Sequence, residues 1–345
     1  MDLQAMPKVK ILIIRFSSIG DIVLTTPVIR CLKKQIPHAE IHYCTKAQYK
    51  SIFEENPYID QMHYLTEDLG SLIRSLKKEN FSCVIDLHKN LRTLMIKTRL
   101  GVQSHSFNKL NWEKWLLVNL KVNRMPNVHI VDRYMETVKP LGVTNDNKGL
   151  DYFIPEKDVV EKEWLPATHH NGYMAFAIGG QHTTKKLPFE KIIELCDRIA
   201  RPIILLGGKE DQEMGQKVEE FFQKREHNLP FEEGLKQLGK KTIIFDGCGK
   251  FSLNQSASIV RDAQAVFTHD TGLMHIAAAF NKKIFSIWGN TTPLFGMYPY
   301  TQNFVIFENA KLSCRPCSKI GYDKCPKGHF KCMNELQFDF YLPED

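Results

Sequence analysis

The chain has 345 residues, 43% hydrophobic and 25% charged. That is the ordinary mix of a soluble globular protein, with enough length for two domains of about 100–200 residues, each with its own core. The early apolar run Ile11–Ile14 is far short of the ~20 residues of a spanning helix and lacks a signal peptide's longer apolar stretch and cleavage site, so a cytoplasmic protein is expected. The net charge of +7 suits nucleic acid, an anionic membrane surface or a phosphate-bearing substrate. No arrayed aromatic-basic RNA motif accompanies it, so a nucleic-acid partner is not expected.

Strand-like and helix-like segments alternate from the start. Val9–Arg15 reads as a strand and Ile22–Gln35 as a helix, with Leu24, Val28, Ile29, Leu32 and Ile36 on one side. Glu40–Cys44 reads as a strand, Ala47–Glu55 and Gly70–Lys78 as helices, and Phe81–Asp86 as a buried strand. A polar stretch, Thr144–Gly149, precedes Pro155–Asn171, where the linker is expected; this sets domains at 1–165 and 166–345. The alternation restarts with strands at Tyr173–Ile178, Pro202–Leu206, Thr242–Phe245, Ala265–Thr268 and Lys283–Ile287. Helices lie between them at Phe189–Ala200, Asp211–Gln223, Ser252–Asp262, with Ser252 as N-cap, and Gly272–Phe280. The pattern predicts an α/β chain of two doubly wound, Rossmann-like halves facing across a cleft, with ligands beyond the carboxyl ends of the strands.

Three loops at such positions carry chemistry. Ser17-Ser18-Ile19-Gly20-Asp21 follows the first strand, and Asp21 is either a helix-capping acid or a general base. Gly179-Gly180-Gln181-His182-Thr183-Thr184-Lys185-Lys186 would bring backbone and a cation to a phosphate, a theme repeated at Gly207-Gly208-Lys209-Glu210-Asp211. Asp270-Thr271-Gly272-Leu273-Met274-His275 opens a helix whose free N–H groups suit a pyrophosphate, with Asp270 on a ribose hydroxyl, a base edge or the helix itself. The loops contain neither GxGxxG nor a Walker lysine.

Taken in order with Thr26-Pro27, Lys185-Lys186-Leu187-Pro188 and Gly289-Asn290-Thr291-Thr292-Pro293, these segments resemble glycosyltransferase family 9, the heptosyltransferases of lipopolysaccharide core synthesis. The resemblance spans roughly residues 8 to 300. It implies a GT-B fold and an inverting transfer, with no metal or other cofactor required, from an ADP-sugar, typically ADP-heptose, to a lipid A–linked core acceptor. It makes Asp21 the catalytic acid residue. It makes Gly179, Gly180, Lys185, Gly208, Asp211, Asp270, Thr271, Gly272, Leu273, Met274, His275 and Thr291 donor-binding residues. Ser18, Gly20, His88, Lys89 and Arg92 are the expected acceptor-binding residues, in the first domain. Leu187 stands where the family commonly has Trp, and Gly289-Asn290-Thr291 where Gly-Pro-Thr is usual; neither change removes a reactive group. A transferase or epimerase of the same fold acting on another nucleotide sugar is the alternative.

Two features lie outside that core. Cys314, Cys317, Cys325 and Cys332, in a segment of about 312–333, read as a closed structural zinc site, or else as free thiols or disulfides. Cys31, Cys44, Cys83, Cys196 and Cys248 read as core residues. From His88 to Arg124 eight Lys and Arg accompany one acid, Glu113, with Trp112, Trp115, Leu116, Leu117 and Val118 among them. That stretch, residues 109–124 included, reads either as a peripheral contact with the inner membrane leaflet or as a solvated face over core tryptophans.

Overall fold

The computed structural model describes residues 9–227 and 241–342. Its contacts divide the chain into two units, Met1–Asn111 with Pro126–Pro155, and Trp112–Met125 with Glu156–Asp345. The division between the units falls at 155/156 rather than 165/166. Trp112–Met125 packs with the second unit, although the sequence places it in the first.

The first unit is a five-stranded sheet. Its strands are β1 (Val9–Ile14), β2 (Ala39–Lys46), β3 (Gln61–Leu65), β4 (Cys83–Asp86) and β5 (Gln103–Ser106). They run parallel in the order β3-β2-β1-β4-β5. Leu12, Ile14, Cys44 and Val84 form its core with Leu72, Ile73 and Leu76 of a covering helix. Strands buried on both faces read as continuous apolar runs, which is why β1 and β4 are plain in the sequence.

The expected helix Ile22–Gln35 is broken into α1 (Ile19–Val23) and α2 (Thr26–Gln35). Pro27 brings no N–H to the ladder, and the Thr25 and Thr26 hydroxyls donate to the carbonyls of Ile22 and Val23 instead. Ala47–Phe53 is a 3₁₀ turn rather than an α-helix. Next come α3 (Leu69–Lys78) and α4 (Leu91–Leu100). Then α5 (Asn111–Trp115), which runs on as a π-helical turn, and α6 (Ile130–Met135). Buried Arg30 on α2 ties in the return segment: its guanidinium grips Asp146 at 2.8 and 2.9 Å, Gly149 O at 2.8 Å, and Asp151.

The second unit is a six-stranded parallel sheet. Its strands are β6 (Met174–Ala177), β7 (Pro202–Leu206), β8 (Ile243–Asp246), β9 (Ala265–His269), β10 (Lys283–Trp288) and β11 (Phe304–Glu308), in the order β11-β10-β9-β6-β7-β8. The connecting helices are α7 (Phe189–Ile199), α8 (Gln212–His227), α9 (Leu253–Asp262) and α10 (Gly272–Ala279), with a short α11 (Lys331–Asn334) near the end. Ser252 caps α9 by accepting from the Gln255 amide at 3.1 Å. The five scattered cysteines are buried, as core residues should be.

Candidate active site

In a doubly wound sheet, ligands bind beyond the carboxyl ends of the strands, where the strand order reverses. In the first unit that point lies between β1 and β4. The loop after β1 carries Arg15, whose buried guanidinium fixes the surroundings. Nη2 lies 2.7 Å from Asp21 Oδ1. Nε donates to Ser17 O at 2.7 Å, and Nη1 to Leu87 O at 2.6 Å and the Tyr134 hydroxyl at 3.1 Å. Ser18 donates to Asp21 Oδ2 from its hydroxyl at 2.9 Å and its amide at 3.3 Å. Asp21 therefore closes the first turn of α1 and is also the acid in the Arg15 pair. The two readings left open by the sequence are not exclusive, but Ser18 is occupied in holding Asp21.

Positive charge surrounds this acid. Buried Asp86, at the end of β4, accepts from the amides of His88 at 3.0 Å and Lys89 at 2.6 Å, and pairs with Lys97 at 2.8 Å. Burial opposes its charge, but Lys97 and the Lys89 amide outweigh it and hold the carboxyl below its ordinary value. His88 is pushed down to about 4 by burial first, then by Arg15 and Lys109, so its ring is neutral near pH 7. Lys109 is lowered by burial and by Arg15, against the pull of Asp86 and Asp21. Lys109 thus shares the field of Asp21, Asp86 and Arg15, although the sequence assigned it to a membrane-facing stretch. Lys89 and Arg92 are exposed, Arg92 in the first turn of α4.

In the second unit the order reverses between β6 and β9, and the loops after four adjacent strands meet there. Lys185, in the loop after β6, sits 2.6 Å from Asp270 Oδ2 and 3.3 Å from Asp270 O, after β9. Thr291, after β10, donates to the same Oδ2 at 3.0 Å. Next in the chain, Lys186 pairs with Asp211 after β7 at 2.9 Å, and Asp211 Oδ2 accepts from the Gly208 amide at 2.9 Å. Asp211 is buried and joins two loops. A side chain on Gly179 would strike it and lie 3.2 Å from the Gly207 Cα, so glycine here lets loops approach each other.

His269 makes a further link between loops. The Leu187 amide donates to its Nε2 at 3.0 Å, which leaves the proton on Nδ1 to reach Gly179 O at 3.4 Å. Burial lowers its pKa to about 4, so it is neutral. Helix α10 starts directly after Thr271, with Gly272 and Leu273 half-buried and Met274 and His275 buried. The side chains of Met274 and His275 point into the interior, so this turn offers a ligand its backbone and not those two side chains.

The cysteine-rich segment braces the loop after β10. Arg315 donates to Gly289 O at 2.5 Å, Thr291 O at 2.8 Å and Trp288 O at 3.3 Å, and pairs with Glu308 at 2.9 Å. The Cys317 amide donates to Asn290 O at 2.9 Å, and Asn290 donates to Ser318 at 3.1 Å. Tyr322 and Thr184 exchange hydrogen bonds at 2.8 to 3.1 Å. On the segment's other side, Lys121 donates to Pro316 O at 2.7 Å and Cys314 O at 3.1 Å. That lysine serves a structural contact.

None of the four cysteines is paired in a disulfide. Cys332 is pushed up to about 12 by burial, and its neighbours Cys317, Cys325 and Cys314 add to the rise against Arg315. Among the described residues, the one group of three His, Cys, Asp or Glu with donor atoms within 4.8 Å is instead His42, His63 and Glu79. Its histidines hydrogen-bond to each other at 2.9 Å, and Lys10 at 3.0 Å already supplies Glu79 with a cation.

A family model, glycosyltransferase family 9 (heptosyltransferase), matches residues 69–326. The match takes in Cys314, Cys317 and Cys325, which the sequence had set outside the family core. Lipopolysaccharide heptosyltransferase 1 of Campylobacter coli is 24% identical, over 88% of this chain and 91% of its own length. The structure of E. coli ADP-heptose LPS heptosyltransferase II superposes with a TM-score of 0.64 at 19% identity, covering 94% of this chain and 98% of that one. E. coli heptosyltransferase WaaC with ADP gives 0.61 at 20%, covering 86% and 92%. An iron-containing dodecameric glycosyltransferase from enterotoxigenic E. coli gives 0.53 at 12%, covering 95% and 76%. The fold is GT-B, and the chain belongs to glycosyltransferase family 9, the heptosyltransferase family.

Proposed function

We propose that this enzyme transfers heptose, with inversion, from ADP-heptose to a hydroxyl of a lipid A–linked inner-core acceptor at the inner face of the cytoplasmic membrane. The observation that carries the reading is the Asp270 cluster. Lys185 and Thr291 converge on one carboxylate beside the start of α10, at the reversal point of the second sheet. Free amides and a fixed lysine suit a pyrophosphate that gains charge as the glycosidic bond breaks. They supply that stabilisation without a divalent ion. Asp270, relieved of Lys185 by the phosphates, is then placed for a ribose hydroxyl. Asp21, oriented by Arg15 and Ser18, takes the proton from the attacking hydroxyl. Arg15, Lys89 and Lys109 make the surroundings attractive to a phosphate-bearing acceptor.

The four cysteines suit a structural ion. Four thiolates fit zinc or iron, and iron is what the distant dodecameric relative contains. No three of the thiols lie within 4.8 Å of one another among the described residues, so an ion would draw Cys314, Cys317, Cys325 and Cys332 inward. It would be held by all four and would brace the Arg315 contacts.

The test is incubation of the enzyme with ADP-heptose and several other nucleotide sugars, each with and without a lipid A–linked core acceptor. ADP release that needs both ADP-heptose and acceptor is expected. Turnover of a different nucleotide sugar, or epimerisation without acceptor, would replace this reading with its alternative.

A further inference from the structure

Helix α4 follows the loop that carries His88 and Lys89. Its start is well defined: Asn90 accepts from the Thr93 amide at 3.0 Å, and the Thr93 hydroxyl accepts from the Asn90 amide at 2.9 Å. It packs inward through Thr93 and Ile96. Its opposite face does not follow the usual rule for a surface helix. Leu91 is 78% exposed, Leu94 55% and Met95 49%. Positions i, i+3 and i+4 share one face of a helix, so these three form a single apolar stripe in water.

Lys89, Arg92 and Arg99, all exposed, flank the stripe. No Asp or Glu occurs between Asp86 and Glu113. Lys97 is the helix base already paired, to Asp86.

We propose that this outer face of α4 is a docking surface for an anionic lipid leaflet, with Leu91, Leu94 and Met95 inserted at headgroup depth and Lys89, Arg92 and Arg99 on lipid phosphates. Large apolar side chains interleaved with bases, and no acid, are what an interfacial helix needs. The charge argues for lipid over a second copy of this chain, because two such basic faces would repel each other. The proposal rests on the transferase reading in one respect: a lipid-linked acceptor lies in the same leaflet. The stretch expected from the sequence, His88–Arg124, contains α4, but its later part, residues 109–124, is less free. There Lys121 is engaged with Cys314 and Pro316, and Lys114 lies over the Phe295 ring, although Trp112 and Trp115 are exposed and stacked.

The test uses the full chain with vesicles of phosphatidylcholine alone and with phosphatidylglycerol added. Co-sedimentation is measured at low and high salt for the wild type, the triple variant Leu91→Gln/Leu94→Gln/Met95→Gln, and Arg99→Gln. The wild type should bind only the anionic vesicles, and salt should weaken it. The triple variant should partition at least about tenfold more weakly, a lower bound that partial insertion of three apolar side chains already supplies. Its melting temperature should not change, because Thr93 and Ile96 are intact. Transfer from ADP-heptose to a deacylated, water-soluble acceptor separates the two readings. A triple variant that keeps this transfer but leaves the vesicles supports docking. A wild type that binds vesicles but transfers nothing refutes the enzyme reading alone. Equal binding to neutral and anionic vesicles, undiminished binding by the triple variant, or concentration-dependent dimerisation abolished by it would overturn the proposal.

Discussion

Lys185 and Asp270 form a 2.6 Å ion pair across the reversal point of the second sheet, and Thr291 donates to the same carboxylate oxygen. On the proposed reading, a donor pyrophosphate would compete with Asp270 for that lysine. Binding and release of the acid would then be coupled, with Lys185 oriented beforehand by the pair. Lys185→Ala should lower kcat as well as weaken ADP, because the charge it meets grows in the transition state. Asp270→Asn should strengthen ADP binding relative to loss of the lysine while impairing use of the sugar nucleotide. Calorimetry with ADP, paired with kcat and KM for both variants, checks this; a change in KM alone would make Lys185 a ground-state contact.

Lys186 should behave differently. Its partner is buried Asp211, which also takes the Gly208 amide. Lys186→Ala leaves that acid without its cation, so the main effect should be on melting temperature, with ADP affinity following only as the loops loosen. A larger loss of kcat for Lys186→Ala than for Lys185→Ala would exchange their assignments.

Asp21→Asn should leave ADP affinity intact and slow turnover by about 10²-fold or more, the range for losing a general base. Arg15→Lys should give an intermediate loss. A lysine keeps the charge but cannot hold Asp21, Ser17 O, Leu87 O and Tyr134 together. Single-turnover rates at saturating donor decide it. Near wild-type turnover for Asp21→Asn would leave that residue only its place in the first turn of α1.

Much of this architecture was legible in the sequence, and the exceptions have physical causes. Buried strands such as Pro202–Leu206 declare themselves as apolar runs. Edge strand β5, Gln-Ser-His-Ser, has no apolar residue, and β3 mixes Gln and His with Met, Tyr and Leu, so neither gives a period to read. Asp21 and Lys185 were singled out by the family resemblance, since position after a strand alone left Asp21 open as a helix cap and did not separate Lys185 from Lys186. Lys109 was not singled out, since only folding brings it into the field of Asp21 and Asp86. Arg315 was equally hidden among cysteines that suggested metal, although its contacts to Gly289 and Thr291 are what brace the loop after β10.

Stability should fall on acidification well before the carboxylates titrate. His63, His88 and His269 are each lowered to about 4, with burial as the first cause, against about 6.5 in the unfolded chain. The unfolded state therefore takes up protons first. The stabilisation is complete above about 6.5 and is lost as pH falls toward 4. Urea midpoints measured from pH 7.5 to 5 should hold down to about 6.5 and decline below it. His63→Leu should flatten the slope, and a midpoint independent of pH over that span would contradict the neutral burial of these rings.

On the proposed reading the cysteine segment would couple an ion to donor binding, a coupling that can be measured without activity. Cys317 donates its amide to Asn290, and Arg315 holds the carbonyls of Gly289 and Thr291. Thr291 in turn reaches Asp270. An ion held by Cys314, Cys317, Cys325 and Cys332 would fix the strap at its outer end. Protein purified without chelator should carry close to one zinc or iron per chain by elemental analysis. Cys325→Ser should lose the ion and weaken ADP by several-fold, and Arg315→Met, which removes the hand that grips the loop, should weaken ADP with the metal still bound. Retained ADP affinity in Arg315→Met would uncouple the strap from the donor loop. Less than a few tenths of an ion per chain would end the metal proposal, leaving four reduced thiols whose Cys332 is held protonated by burial.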